Sequence, residues 1–255
     1  MRLFLLIAKV NIFGKDFFNH FKASCNICQR KPWFWLPRGH HSAVLKEFKV
    51  IGAGPRNVDC PICFSSDRDR LVYHYLENSF WKDSTSKKSV LHVAPEKPIW
   101  KRWKNWDVQA TGIDKRTKGY KFSYHKSVLK ADLTDLPFED SRFDMIICNH
   151  VLEHIPDEYA AITELHRVLR TGGSAILQVP FSPIRTQKRV NSKLFNRMQR
   201  INWVGQHDHV RLYANEPWKD WLSYGFEFIP FEIDRETRIN YRMHLEEPLI
   251  LLKKL

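Results

Sequence analysis

Short apolar runs of strand length alternate with helical stripes along most of the chain. Ser89-Val90-Leu91-His92-Val93-Ala94, Val108 to Ile113, Val128-Leu129-Lys130-Ala131, Phe143 to Asn149 and Ser174 to Val179 are each too short for a stable helix and read as strands. The Phe143–Asn149 run carries no charge after Asp144, as a parallel strand covered on both faces requires. Between these runs the apolar positions fall at helical spacing. Leu71, Val72, Tyr75, Leu76 and Phe80 predict a helix over 68–81, and a helix bearing Trp100 and Trp103 follows the first strand. Ala161, Ile162, Leu165, Val168 and Leu169 predict another, capped by Asp157 and stopped by Gly172-Gly173. A helix over Pro217 to Tyr224, ended by Gly225, and strands over Phe226 to Ile233 and Pro248 to Lys253 complete the pattern. Strand and helix alternating in this way predict an α/β fold, a doubly wound and mostly parallel seven-stranded sheet.

Composition divides the chain in two. Residues 1–65 are basic, bear cysteines and lack a clear period, and read as an accessory segment before a main domain over 66–255. With 255 residues, 43% of them hydrophobic, the chain can bury a substantial core. The formal net charge of +13 favours phosphate, nucleic acid or anionic lipid as partners and says nothing of the fold. Six of the cations lie between Arg185 and Arg200 with no acid among them. The apolar run Leu3–Ala8 is too short for a signal-peptide core or a membrane span, so a cytoplasmic protein is expected. A peripheral membrane contact is the sharper reading of Leu3, Phe4, Phe13, Phe17, Phe18 and Phe21 among Lys9, Lys15 and Lys22.

Cys25-Asn26-Ile27-Cys28 and Cys60-Pro61-Ile62-Cys63 each place two thiolates on a tight knuckle. Two knuckles complete a tetrahedral zinc site with no open position, so Cys25, Cys28, Cys60 and Cys63 are expected to hold a structural Zn2+. The 31 residues between the pairs exceed the usual ribbon spacing, and a redox dithiol or unrelated buried thiols are the other readings. The fifth cysteine, Cys148, falls inside a predicted strand and does not suggest a secreted disulfide framework.

In open parallel sheets ligands bind outside the carboxyl ends of the strands, which puts Asn149, His150, Glu153 and His154 at the expected ligand site by topology alone. A nucleoside cofactor also needs a tight turn after the first strand and acidic groups after the second and third. Asp114 lies 22 residues past His92, close to the offset of a ribose-binding carboxylate, and Asp132 follows the third strand.

Lys130-Ala131-Asp132-Leu133-Thr134-Asp135-Leu136-Pro137-Phe138, then Phe143-Asp144, Val151-Leu152-Glu153-His154-Ile155 and Leu165 to Gly173, resemble class I S-adenosylmethionine-dependent methyltransferases over about residues 66–255. More narrowly, Val90 to Lys97, Cys60 to Cys63 and Gly205 to Arg211 look like a bacterial subgroup with a cysteine-rich, zinc-ribbon-like segment ahead of the methyltransferase domain. The resemblance implies that S-adenosyl-L-methionine is the cofactor, with Asp114 on its ribose, Asp132 and Leu133 on its adenine, and Asn149 and His150 on its methionine side. Where the family carries a glycine-rich first turn, this chain has His92-Val93-Ala94-Pro95-Glu96-Lys97-Pro98, with no glycine. Glycine there permits close backbone approach, so its absence either weakens the cofactor site or changes its geometry, with His92, Ala94 and Glu96 lining the turn and Glu96 free to meet the methionine ammonium.

Methyl transfer from a sulfonium is an in-line displacement that needs no acid, so alignment and desolvation supply most of the acceleration. A base is required only for a poor nucleophile, and His154, His207, Asp208 and His209 are the candidates, since imidazole titrates near neutrality. If the run from His207 to Tyr213 is extended, His207, His209, Arg211 and Tyr213 share one side; a metal held by His207, Asp208 and His209 is a weaker alternative. The leading expectation is a methyltransferase for a small-molecule, sugar or lipid-linked acceptor, with the basic stretch Arg185–Arg200 holding a phosphate-bearing one. Trp100-Lys101-Arg102-Trp103-Lys104-Asn105-Trp106 instead suits a nucleic-acid methyltransferase if its rings are free to stack on bases. The bland reading of that run buries Trp100 and Trp103 on an amphipathic helix. The glycine-free turn keeps a third reading open, a non-catalytic protein that retains the fold.

Overall fold

The computed structural model describes residues 23–81, 87–117, 128–191 and 195–255. The apolar runs pair as predicted. β3 (Lys88–Val93), β4 (Val108–Asp114), β5 (Val128–Lys130), β6 (Phe143–Asn149), β7 (Leu169–Gln178), β10 (Phe226–Phe228) and β11 (Leu251–Lys254) form one seven-stranded sheet. Its order is β10-β11-β7-β6-β3-β4-β5, and β11 alone runs against the others. Chain order reverses between β3 and β6, so loops after these neighbours diverge and open a crevice at their carboxyl ends.

Alternate residues of the central strands feed two cores. Leu91 and Val93 of β3, Ile146 and Cys148 of β6, and Ala175 and Leu177 of β7 meet the helix Glu158–Val168 through Ala161, Ile162 and Leu165. Val90, Met145, Ile147 and Ile176 point the opposite way, onto Leu71, Val72 and Leu76 of the chain from Asp67 onward. This two-sided burial explains why the strands read as unbroken apolar runs.

Several boundaries move. The helix Asp67–Tyr75 gives way to a π-helical turn over Leu76–Phe80. Asp157 caps the helix Glu158–Val168 by accepting from the Ala160 N–H at 3.0 Å, but that helix ends at Val168 and Gly172-Gly173 lie inside β7. The chain must leave the helix there because Leu169 already pairs with Phe143 of β6. The expected tryptophan helix is two short pieces, Lys97–Trp100 and a 3-10 turn Trp103–Asn105. The helix before Gly225 shrinks to Lys219–Leu222, and the two last strands to three and four residues. The run from Leu3 to Lys22, on which a membrane contact was expected, lies outside the described residues. Among the described residues no helix is long and apolar enough to cross a membrane.

The N-terminal segment packs on the sheet. β1 (Leu36–Arg38) pairs with β2 (Arg56–Asp59), and Ala23, Cys25, Ile27, Trp35 and Cys60 share the core of Leu71 and Met145. Ile51 exchanges backbone hydrogen bonds with Phe181 just beyond β7, at 2.9 and 3.2 Å. Arg70 joins all these parts. Its fully buried guanidinium donates to the carbonyls of Ser65 (2.7 Å), Val58 (2.8 Å), Tyr241 (2.7 Å) and Arg242 (2.8 Å), with the Ser65 hydroxyl as a further acceptor and the Trp35 ring 4.6 Å from its carbon. Truncating it strands several buried carbonyls at once, and each lost partner costs on the order of 1–3 kcal/mol. Arg70→Ala is therefore expected to lower unfolding stability by at least ~3 kcal/mol. Arg70→Lys, with three donors on one atom, should recover only part of it, as read from urea midpoints.

Candidate functional site

A crevice opens where topology requires, a cavity of about 600 Å³ at the carboxyl ends of β3, β4, β5 and β6. Val93 and Ala94 form its floor, Asp114, Lys115 and Arg116 one side, and Asp132, Leu133 and Thr134 the next. His150, His154 and Asp208 close it. The structure thus gathers seven sequence candidates far apart in the chain, Ala94, Asp114, Asp132, Leu133, His150, His154 and Asp208, around one space.

Each carboxylate is held in place by its own loop. Asp114 Oδ1 accepts from the Arg116 N–H at 2.7 Å. Asp132 Oδ1 accepts from the Thr134 N–H at 3.2 Å and from its hydroxyl at 2.9 Å, and Lys115 Nζ lies 2.7 Å from Asp132 Oδ2. The lysine, then the Thr134 hydrogen bonds, hold the Asp132 carboxyl below its ordinary range. Because the Lys115 ammonium is well exposed, this pair contributes little to stability and can open to admit a ligand.

The first turn replaces glycine by strain and by a buried relay. Ala94 takes φ +46°, the left-handed region that glycine enters freely, and its N–H donates to the Ile113 carbonyl at 2.8 Å. His92 and Glu96 do not line the cavity. His92 is fully buried behind it, and its Nδ1 accepts from the Trp103 indole N–H at 3.3 Å. Indole only donates, so Nε2 carries the ring proton and gives it to Glu96 Oε2 at 2.7 Å. Burial pushes the Glu96 carboxyl up, but the His92 hydrogen bond, the His92 charge and further hydrogen bonds together outweigh it and the net shift is downward. Glu96 is thus an oriented carboxylate, and His92 acts only through it.

Asn149 ends β6 almost fully buried, and neither its amide nitrogen nor its oxygen has a hydrogen-bond partner among the described residues. His150 follows with φ +53°, its Nδ1 3.3 Å from Glu153 Oε1 and its Nε2 3.9 Å from Glu247 Oε1. Gly52 leaves room for this ring; a Cβ there would sit 3.0 Å from His150 Cε1. Burial raises the Glu153 carboxyl, yet the His150 hydrogen bond and the surrounding imidazoles bring it down to about 2.

The run after Gly205 is only partly extended. His209, Arg211 and Tyr213 are buried, while His207 stays on the rim with about half its side chain exposed. His209 faces His154 edge-on at 4.7 Å, and burial lowers its imidazole to about 4. The ligand-type groups that converge among the described residues are therefore Glu153, His154 and His209, and not the His207-Asp208-His209 trio held as a weaker alternative. A second cavity of about 220 Å³ lies beyond them. Arg38, His40, Arg56 and Arg68 line it with His150, Glu153, His154 and His209. Its arginines come from the N-terminal segment and the following helix, positions with no periodic signal in the sequence. Arg38 pairs with Asp59 at 2.5 Å and Arg56 with Asp67 at 2.6 Å; Arg68 has no hydrogen bond or ion pair among the described residues. The basic stretch lies elsewhere, with Arg185 and Arg189 stacked on Phe48 at 4.7 and 4.4 Å. Trp103 is buried, and Trp106 packs on Tyr73 and Trp81, within the second core.

The four knuckle cysteines also meet. Cys25 Sγ lies 3.6 Å from Cys63 Sγ, and Cys28 Sγ 3.8 Å from Cys60 Sγ. Zn–S bonds of ~2.3 Å place tetrahedral sulfurs ~3.8 Å apart, so the set fits such an ion. Hydrogen bonds from Cys60 and Cys63 pull the Cys25 thiol far down. Hydrogen bonding to Cys25 pushes Cys63 up, and burial lifts Cys28 to about 11, so without an ion the four sulfurs share protons and Cys25 alone is favoured as thiolate.

Residues 99–177 match the family described as a methyltransferase domain. A demethylmenaquinone methyltransferase of Staphylococcus carnosus is 41% identical over 49 residues, which cover 19% of this chain and 20% of that protein. The uncharacterised protein YafE of Escherichia coli is 31% identical over 83 residues, 32% of this chain and 37% of that one. The chain thus spans about a fifth and rather more than a third of these relatives. The structure of YcgJ from Bacillus subtilis superposes with a TM-score of 0.45 at 20% identity, over 66% of this chain and 76% of that one.

An alanine held in the left-handed region costs on the order of 1 kcal/mol. Ala94→Gly should relieve that strain, raising unfolding stability by about 1 kcal/mol in denaturant titrations.

Proposed function

We propose that this chain, a class I methyltransferase-fold protein with an N-terminal cysteine cluster, is an S-adenosylmethionine-dependent methyltransferase acting on a small-molecule, sugar or lipid-linked acceptor. The observation that carries the reading is that Asp114 and Asp132, on neighbouring strand ends, face one cavity of about 600 Å³ at the order reversal of the sheet. Asp114 would take the ribose hydroxyls, Asp132 and Leu133 the adenine edge. Ala94, Asn149 and His150 would surround the methionine part, where the unpaired Asn149 amide gains partners. The cofactor supplies an electrophilic methyl group. What the chain adds is alignment, exclusion of water, and an imidazole, His154, on the cavity wall for an acceptor proton. The inward packing of Trp103 and Trp106 favours this acceptor class over single-stranded nucleic acid, because these rings are not free to stack on bases.

Calorimetry with S-adenosylmethionine and S-adenosylhomocysteine tests the reading. Hydrogen bonds to charged groups contribute about 1.5–3 kcal/mol, so Asp114→Asn is expected to weaken cofactor binding by roughly 10- to 100-fold. The Asp114→Asn/Asp132→Asn pair should weaken it further. Unchanged affinity in the double variant would remove the basis of the proposal.

The cysteine cluster is assigned to structural zinc, with four thiolates leaving no position for substrate. Full-length protein is expected to carry one zinc ion on these ligands by elemental mass spectrometry, and Cys28→Ser/Cys63→Ser to lose it. Removing the ion from the wild type should lower the melting temperature, since the cluster is continuous with the core of Leu71 and Met145.

A further inference from the structure

We propose that Glu153, His154 and His209 form a second metal site, for a divalent first-row transition ion, distinct from the thiolate cluster and open toward the 220 Å³ cavity. One ligand atom from each of the three lies within 4.8 Å of the other two. Bonds of ~2.1 Å from nitrogen and oxygen place neighbouring donors roughly 3.0–3.4 Å apart, so the side chains must rotate inward by up to about 1.5 Å to close on an ion.

Three further features point to a ligand at this place. The Glu153 and His209 side chains are more than nine-tenths buried, yet Glu153 Oε2 and His209 Nδ1 have no hydrogen-bond partner among the described residues. His154 already has the right tautomer. Its Nδ1 lies 3.1 Å from the Asp208 carbonyl, which only accepts, so Nδ1 carries the proton and Nε2 keeps its lone pair. A metal-binding histidine characteristically anchors its other nitrogen in this way. The backbone around the three is also fixed. The Val210 N–H donates to the Glu153 carbonyl at 2.8 Å, and the buried Arg211 donates to the carbonyls of Leu152 and Pro156, tying the turn Leu152–His154 to the segment that carries His209.

Two imidazoles and one carboxylate suit iron(II), zinc, cobalt or manganese, and leave coordination positions free. An inorganic anion is disfavoured here because the Glu153 carboxylate would face it. The three groups line the 220 Å³ cavity, and His154 also lines the 600 Å³ cavity, so the ion would stand at the wall between them. Its role rests on the methyltransferase reading and replaces the imidazole base given there: with the His154 lone pair on the ion, the ion itself would, as a Lewis acid, polarise a hydroxyl or carbonyl oxygen of an acceptor in the polar cavity. The binding itself does not depend on that reading.

Chelator-treated full-length protein titrated with Co2+ separates the two sites. Cobalt on four thiolates shows intense sulfur-to-metal charge transfer, whereas a nitrogen and oxygen site shows only weak ligand-field bands. The expected result is a thiolate-free cobalt signal that disappears in both His209→Ala and Glu153→Gln, while the charge-transfer band survives. X-ray absorption on the wild type, showing imidazole scattering without sulfur for the second equivalent, makes the result independent of how the variants fold. A wild type that binds cobalt only with the sulfur signature, or a second ion retained by both variants, would overturn the site. Cofactor calorimetry on the same preparations keeps the two proposals apart. Cofactor bound without a second ion removes the metal site alone, and a second ion without cofactor leaves it standing while the methyltransferase reading falls.

Discussion

The buried guanidinium of Arg70 is the constraint on which the assembly turns. It sits where three separate stretches would otherwise leave carbonyls unpaired in the core: Val58 and Ser65 beside the second cysteine knuckle, and Tyr241 and Arg242 after the helix Arg235–Asn240. Burial lowers the pKa of this arginine, opposed by the charge of Cys25, then Asp67 and Asp69, so the cation is tolerated because anions surround it without pairing directly. Carbonyl acceptors aimed at one planar fork fix direction as well as distance, which a hydrophobic contact does not. The cysteine cluster, the helix Asp67–Tyr75 and the C-terminal segment therefore have one mutual arrangement. The polar cavity inherits it, because Arg38, Arg56 and Arg68 reach that cavity from the chain on either side of the second knuckle.

Much of this was legible in the sequence because parallel strands covered on both faces leave no room for polar alternation. Val90-Leu91, Met145-Ile146-Ile147 and Ala175-Ile176-Leu177 could only be central, and Asp114 and Asp132 then had to fall at carboxyl ends. The cysteines were legible too, since thiols at such spacing have few structural uses. The 31 intervening residues are accommodated by β1, the short helix Ala43–Glu47 and β2, which fold the chain back on itself.

What was not legible is set by contacts remote in sequence. Nothing in His92 to Pro98 announces that Ala94 will take a positive φ; that depends on its hydrogen bond to Ile113 across the sheet. Nor does helical spacing reveal that the helix expected to run to Gly172 stops at Val168, since pairing of Leu169 with Phe143 decides it. The side of the chain taken by His207 was misjudged for a similar reason. Strand geometry is confined to Arg211–Leu212, so alternation carries His209 inward but does not extend back to His207.

Charge at the two cavities follows from the same architecture. The larger cavity presents Asp114 and Asp132, with Lys115 as a movable counter-ion, at strand ends that the order reversal of the sheet brings together. The smaller cavity is built from loops and from a segment outside the sheet, and there three buried acids, Glu153, Glu247 and Asp67, stand against imidazoles and guanidiniums. Arg56 is committed to Asp67 and Arg38 to Asp59, so Arg68 and the imidazoles are the groups left to answer a ligand. The wall common to both spaces consists of His150 and His154, one on a strained φ beside Gly52 and the other held by the Asp208 carbonyl. The same two side chains therefore border both spaces. The loops and the N-terminal segment supply the groups that distinguish the smaller space, while the sheet supplies only the place where the two meet.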